Sequence, residues 1–244
     1  FTLAQPQNNS YAVMHNCLET VKEVLETSSD KKAAVSWRLS NSQRLAILGM
    51  YNGLTCLHLA MSFADSNIVS VLLKAGANVH DEDCHGNDCL MIACMMGRLD
   101  NVERWFHENS NWKVDRRNSI FGATALHLSV YFGPRKLDIV RYLVEKRAAN
   151  PNLTNFSGNS VLILACSTED ADPKVVRYLL EQGVDVNGQI KSQTTKWKML
   201  RAAARLSVRS RISRVGLLNR IANSGGMTSL HYAVRRGDAE IVEL

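Results

Sequence analysis

The sequence predicts an all-α solenoid of helix-turn-helix units joined by hairpin-like fingers, and three observations predict it. A short motif opening on glycine recurs at Gly53, Gly86, Gly122, Gly158 and Gly226, with separations of 33, 36, 36 and 68 residues. Each copy carries a small or polar residue two positions after the glycine, an apolar one after four, and Ala or Ser after seven. A second apolar stretch follows, as in Ile68, Val69, Val71, Leu72 and Leu73. A fixed period of this length marks an array that grows in one dimension, because each unit buries its apolar face on its neighbours.

Each element has a local reason. Thr55, Thr124 and Thr228 stand where a hydroxyl caps the first helix of a unit. Leu57, Ala60, Leu126, Leu230 and Ala233 then fall on one helical face, the expected core. His58, His127 and His231 recur at one motif position, which points to a repeated structural hydrogen bond near the helix start. Gly76 and Gly183 suit the end of a second helix, where a left-handed residue is needed. Turn-rich stretches such as "ANVHDEDCHGN" form the finger to the next unit. At the start, "YAVMHNCLETVKEVLE" (11–26) aligns without gaps to "YAVRRGDAEIVEL" near the end. "GPRKLDIV" and "EDADPKVV" each gain two residues between helices, as loop insertions.

The motif copies read "GLTCLH", "GATALH" and "GMTSLH", with weaker copies "GNDCLM" and "GNSVLI". They resemble the ankyrin repeat signature Gly-x-Thr-Pro-Leu-His, although proline is missing from every copy. The resemblance covers most of the chain and implies six to seven repeats. A degenerate first repeat with a long connection occupies 8–51. Repeats follow at 52–82, 83–117, 118–154 and 155–190, and a truncated last one at 225–244. Because the chain opens and closes within helical patterns, it reads as part of something longer.

Residues 191–224 are the difficult stretch. Between Gly188 and Gly237 stand eleven Lys or Arg and no Asp or Glu, within a chain whose net charge is +6. The rest of the chain is therefore acidic, and the basic character is local. The 68-residue spacing equals two periods, so "LRAAA" can stand at a repeat motif with Leu200 and Ala203 in the core. Two readings stay open, a degenerate repeat and an independent inserted helix. In both, Lys198, Arg201, Arg205 and Arg209 share one exposed basic face. A first helix over 197–207 and a second over 211–221 are expected, and "RSRIS" fits a basophilic kinase site at Ser213.

The resemblance implies a protein-interaction module. In such arrays the residues just after the first-helix alanine, and the finger tips, face an inner groove. Here those positions hold Phe63, Met95, Met96, Tyr131, Phe132, Arg235 and Arg236, so three consecutive units place large apolar side chains there. Such patches mark partner surfaces. The alternative is that the inserted turn after Phe132 covers the stripe. The tips add Asp81, Glu82 and Asp83 on one finger and Arg116 and Arg117 on the next, charges suited to orienting a partner. The basic face suits an acidic partner segment. Its other readings are a calmodulin-, nucleic-acid- or anionic-membrane-binding element, with nucleic acid the weaker because Trp197 alone is there to stack.

No catalytic residue, cofactor or metal site is expected. Phosphate-binding glycine loops, paired metal-binding histidines and nucleophile elbows are absent from the sequence. The stretch "HDEDCHGNDCLMIAC" gathers His80, Cys84, His85, Cys89 and Cys94, but Cys89 and Cys94 fall at small buried positions of the motif. The array remains compatible with serving as the targeting domain of a larger enzyme or channel. Six cysteines without framework spacing favour a reducing compartment, the cytoplasm or nucleus, and no apolar run approaches a membrane span.

Overall fold

The computed structural model describes residues 13, 18–28, 30–36, 53–134, 136–209 and 221–244. They fall into two units, one of Phe1–Ile120 with Phe132–Arg135, the other of Phe121–Tyr131 with Lys136–Leu244.

The first unit contains α1 (Leu18–Thr27), α2 (Lys31–Ser36), α3 (Cys56–Phe63), α4 (Ser66–Lys74), α5 (Cys89–Met95) and α6 (Leu99–Glu108). First helices pack on first helices, α3 on α5. Second helices pack on second helices, α4 on α1 and on α6. The short first helices are buried nearly all round, with Cys56 through Ser62 and Cys89 through Cys94 inside. A helix apolar on every side has to lie between others. The second helices are one-sided and bury Ile68, Val69 and Leu72 in α4, and Val102, Trp105 and Phe106 in α6. Each such side chain contributes about 1.5–3 kcal/mol by leaving water. The last carbonyls of α3 are satisfied across the repeat boundary. Asn101 Nδ2 donates to Ala60, Met61 and Ala64 O at 3.1, 3.3 and 2.9 Å, and Arg98 Nη2 donates to Ala64 O at 2.8 Å.

The second unit contains α7 (Ala125–Tyr131), α8 (Lys136–Arg141, continued by a π turn over Tyr142–Lys146), α9 (Val161–Ser167), α10 (Pro173–Glu181), α11 (Thr195–Arg209), α12 (Ser229–Arg236) and α13 (Ala239–Glu243). Here α9 packs between α7 and α12, while α10 packs on α8 and α13. Lys136 Nζ, almost wholly buried, reaches Asp170 at 2.8 Å and thereby holds that carboxyl below the usual range.

The expected helix starts are present. Thr55, Thr124 and Thr228 each pair with the histidine three residues on, their Oγ1 2.9, 2.8 and 2.8 Å from Nδ1 of His58, His127 and His231. The backbone N–H of each threonine also donates to that Nδ1. In the weaker copies the same position is held by Asp88, which accepts from Met91 N, and by Ser160, which accepts from Ile163 N. Three residue types thus do one job. Gly76 and Gly183 end α4 and α10 with φ of +89° and +71°, as expected. Leu230 departs from expectation. It is 54% exposed, on a face of α12 that no described residue covers, whereas Leu57, Ala60, Leu126 and Ala233 are buried.

The fingers show where the chain between Lys191 and Gly225 leaves the regular pattern. In one finger, Asp83 N donates to Asn87 O and Gly86 N donates to Asp83 O; in another, Asn155 and Asn159, then Gly158 and Asn155, repeat the pattern. The finger after α10 makes the same bonds between Ile190 N and Met227 O, and between Gly226 N and Ile190 O. The glycine stands three positions after its partner in the first two fingers and thirty-six after it in the third, so 33 residues enter at the tip. Because α9 lies directly against α12, no helix pair separates them. Of the two readings left open by the sequence, the packing fits the insertion.

Candidate partner-binding surfaces

The residues expected to line a groove sit at the ends of first helices. In the first unit Phe63 closes α3, while Met95 and Met96 end α5, and all three are half-buried. The inserted turn lies beside them. A Cβ on Gly97 would come within 2.6 Å of Pro134 O, and one on Gly133 would overlap the Met95 carbonyl. The turn therefore covers the Met95–Gly97 edge, while Phe132 stays 37% exposed. In the second unit Tyr131, at the end of α7, is 43% exposed and Arg235 is exposed. Arg236 is committed inside the unit. Its Nη2 donates to Glu169 O at 2.9 Å and lies 3.8 Å from Asp238.

The finger tips correct the expectation that their charges face a partner. Asp83 is buried, and its carboxylate accepts from the backbone N of His85 and Asn87, both at 2.8 Å, and from Asn87 Nδ2 at 2.9 Å. Asp81 accepts from Asn78 Nδ2 at 3.1 Å. Arg116 joins its own finger to the previous one, with Nη2 3.3 Å from Glu82 and Nε 3.6 Å from Asp88. Its guanidinium lies 4.7 Å from the ring of Trp112, on which His80 also stacks. Opposite charges on adjacent fingers were free to meet each other, and they did. Arg117 remains exposed. The Trp112 cluster was invisible in sequence, since His80 stacks on Trp112 from 32 residues away, Glu82 meets Arg116 from 34 away, and Trp105 lies on the neighbouring helix.

Cys89 and Cys94 are buried apolar positions, as the motif register requires, and burial pushes the Cys94 thiol well up. Cys84 is exposed beside His85, 3.3 Å from Nδ1.

The basic helix α11 also departs from expectation. Arg201 is 9% exposed and Ala204 is buried, whereas Leu200 and Ala203, assigned to the core, are exposed. One residue of register is 100° of rotation. The expected register came from aligning "LRAAA" with the repeat motif, but α11 lies outside the stack and answers to different neighbours. Trp197 meets Phe121 at 6.2 Å between ring centres, Arg201 Nη2 donates to Ser157 O at 2.9 Å, and Arg205 Nε donates to Ala222 O at 3.1 Å. Arg201 is thus no part of an exposed basic face. Lys196, Lys198 and Arg205 are exposed, and so are two large apolar residues, Met199 at 68% and Leu206 at 69%. The side chain of Arg209, the second expected helix and Ser213 lie outside the described residues.

Helix pairs joined by fingers, with the inner first helices α3, α5, α7 and α9 largely buried, define a repeat solenoid of the kind that works by binding other proteins. Models of ankyrin repeats match residues 10–114 and 90–190 in three copies, and 169–244 in many copies. The chain belongs to the ankyrin repeat family, whose members are general protein–protein interaction modules. It is 30% identical over 187 residues to the nuclear factor NF-kappa-B p105 subunit of Gallus gallus, covering 75% of this chain and 18% of that protein. It is 23% identical over 180 residues to the human transient receptor potential cation channel subfamily A member 1, covering 68% and 15%. The NF-kappa-B inhibitor cactus of Drosophila yakuba is 30% identical over 129 residues, covering 52% and 23%. The chain therefore spans less than a quarter of each of these relatives. Two solved structures share the fold. One is a chain in the complex of a predatory endopeptidase from Bdellovibrio bacteriovorus with an immunity protein (TM-score 0.65, 16% identity, 96% of this chain and 94% of that one). The other is an ankyrin repeat protein (TM-score 0.64, 18% identity, 98% and 96%). Among the described residues no helix is long and apolar enough to cross a membrane.

Proposed function

We propose that this array is a non-catalytic scaffold or adaptor, which holds a protein partner against the ends of its first helices, in the cytoplasm or nucleus. The observation that carries the reading is the exposure of Tyr131 and Phe132, two consecutive aromatic residues at a turn, where a protein with no partner gains nothing from showing them. In the first unit the half-buried Phe63, Met95 and Met96 keep an uncovered side for contacts of the same kind, and in the second Arg235 supplies charge. The name of the cactus relative, an NF-kappa-B inhibitor, describes action on a protein target, which is in keeping with this reading.

The test is photo-crosslinking from Tyr131, from Met96 and from Lys198, with Arg177 on α10 as an exposed control, followed by binding of the purified partner across salt. Crosslinks at the first two positions are expected. Affinity is expected to hold at high salt and to fall at least about tenfold in the Met96→Asp, Tyr131→Asp double variant. Crosslinks confined to Lys198, with affinity lost between about 50 and 200 mM salt, would sink this reading.

That second outcome belongs to a second reading, favoured by the outward face of α11. Met199, Ala203 and Leu206 lie four and three residues apart on one side, with Lys196 and Lys198 at the flanks. This spacing is what an apolar groove with an acidic rim, such as calmodulin's, receives.

A further inference from the structure

Among the described residues, α11 holds a cation with no counter-ion. Arg201 is more than nine-tenths buried, yet no described carboxylate pairs with it, and the ionisable groups acting on it are Arg205 and Tyr232. One hydrogen bond anchors its guanidinium, Nη2 to Ser157 O at 2.9 Å. Among the described residues nothing accepts from its Nε. A buried, half-satisfied charge is destabilising unless something else completes it.

A second guanidinium converges on the same place. Arg201 and Arg205 are four apart, one helical turn, and both lean over Gly225 in the turn before the last repeat. A Cβ on Gly225 would stand 2.6 Å from Arg205 Nη2 and 3.6 Å from Arg201 Nη1. Two like charges therefore face one another across a residue with no side chain, in a stretch with eleven basic residues and no acidic one. Burial, and then Arg205, pull the Arg201 guanidinium below its ordinary pKa, as an uncompensated cation requires. Arg205 is exposed, so the pair is open to solvent from its side. Arg205 Nε is fixed on Ala222 O, which holds the second fork in position.

We propose that Arg201 and Arg205, over Gly225, form a binding site for a phosphate monoester. Two fixed forks carry two positive charges, which a phosphate dianion matches and a single carboxylate leaves half compensated. Guanidinium groups grip phosphate oxygens in parallel pairs of hydrogen bonds. The site goes beyond the apolar rim proposed above and does not depend on it.

Inorganic phosphate and O-phosphoserine are titrated separately into the intact chain at constant ionic strength, with chloride as the balancing ion. Binding is followed by NMR at the amides of Gly225 and Gly226 and at the Nε–H of Arg201 and Arg205. Saturable shifts centred on these groups are expected. Arg205→Gln weakens binding by about tenfold, with its thermal transition followed alongside so that loss of the site is told apart from loss of the fold. Lys198→Gln, on the same helix, changes it by less than about twofold. Gly225→Ala weakens it too, because the methyl displaces Arg205. Tighter binding of phosphoserine assigns the site to a phosphate carried on a side chain, and equal binding assigns it to a free phosphate. Equal losses in Arg205→Gln and Lys198→Gln, or no saturation, overturn the site. A chain that still binds its protein partner in that case leaves the groove reading standing.

Discussion

Two fingers make the same backbone bonds from very different lengths of chain. At Asp83–Asn87 the register is held by a buried carboxylate that collects three donors within five residues. At Ile190–Met227 the same pairing is made by an apolar residue, with α11 lying between the two in the chain. Loop closure costs grow only with the logarithm of length, so the longer tip adds about 2 kcal/mol. The contacts of Trp197, Arg201 and Arg205 with the second unit offset that cost. The difference teaches that a finger tip tolerates an insertion as long as a whole repeat, whereas the helix layers beside it have no such freedom.

Deletions test this most severely. Removing 84–116 takes out a helix pair and the neighbours that bury α3 and α4, so the first unit is expected to lose its cooperative thermal transition by circular dichroism. Removing the same length at 192–224 leaves Ile190, Lys191, Gly225, Gly226 and Met227 in the arrangement of the short finger. That variant is expected to fold with its transition intact, and loss of the transition would restore the degenerate repeat.

Single residues sharpen the comparison. Asp83→Ala leaves three buried or half-buried donors without an acceptor and is expected to cost about 2–3 kcal/mol in urea unfolding. Gly86 and Gly226 share a left-handed backbone, φ +76° and +80°, but differ in surroundings. A Cβ on Gly86 would overlap Ser119, while one on Gly226 meets nothing within 4 Å. Gly226→Ala should therefore cost about 1–2 kcal/mol, the left-handed strain alone, and Gly86→Ala clearly more. Equal losses would show that finger stacking contributes little.

The smallest effect is a pH slope. Burial raises the Asp88 carboxyl that caps α5, against a smaller opposing pull from the Met91 N–H and Arg116. The folded chain therefore holds that proton more tightly than the unfolded one. The stability this contributes is present below the unfolded carboxyl value, about 3.9, and is lost as pH rises through the higher folded value. Asp88→Asn should flatten stability across that window in denaturant titrations. Thr228, the uncharged cap beside the long finger, should contribute no slope of this kind.

The repeats were legible in the sequence because their determinants are local. A threonine three residues before a histidine, a glycine at a left-handed turn and an apolar face at helical spacing act within one or two turns of chain; the first two were found where expected, and the third except at Leu230, Leu200 and Ala203. Even the substitutions Asp88 and Ser160 keep the chemistry of the cap. The candidate surfaces were legible only in outline. Tyr131 and Phe132 are exposed, but the finger charges were not readable as a site, because whether Glu82 faces solvent or Arg116 depends on which finger stacks beside it.

Alone, the sequence determined the period, the helix starts, the left-handed glycines and most of the core, all of which follow from short-range sterics and hydrogen bonding. Only the tertiary structure decided that α9 lies on α12, that Ile190 pairs with Met227 and that Arg201 turns inward. The physical reason is that an insertion one period long preserves every spacing a repeat would have. What separates the two is which surfaces meet, and that depends on burial between residues tens of positions apart.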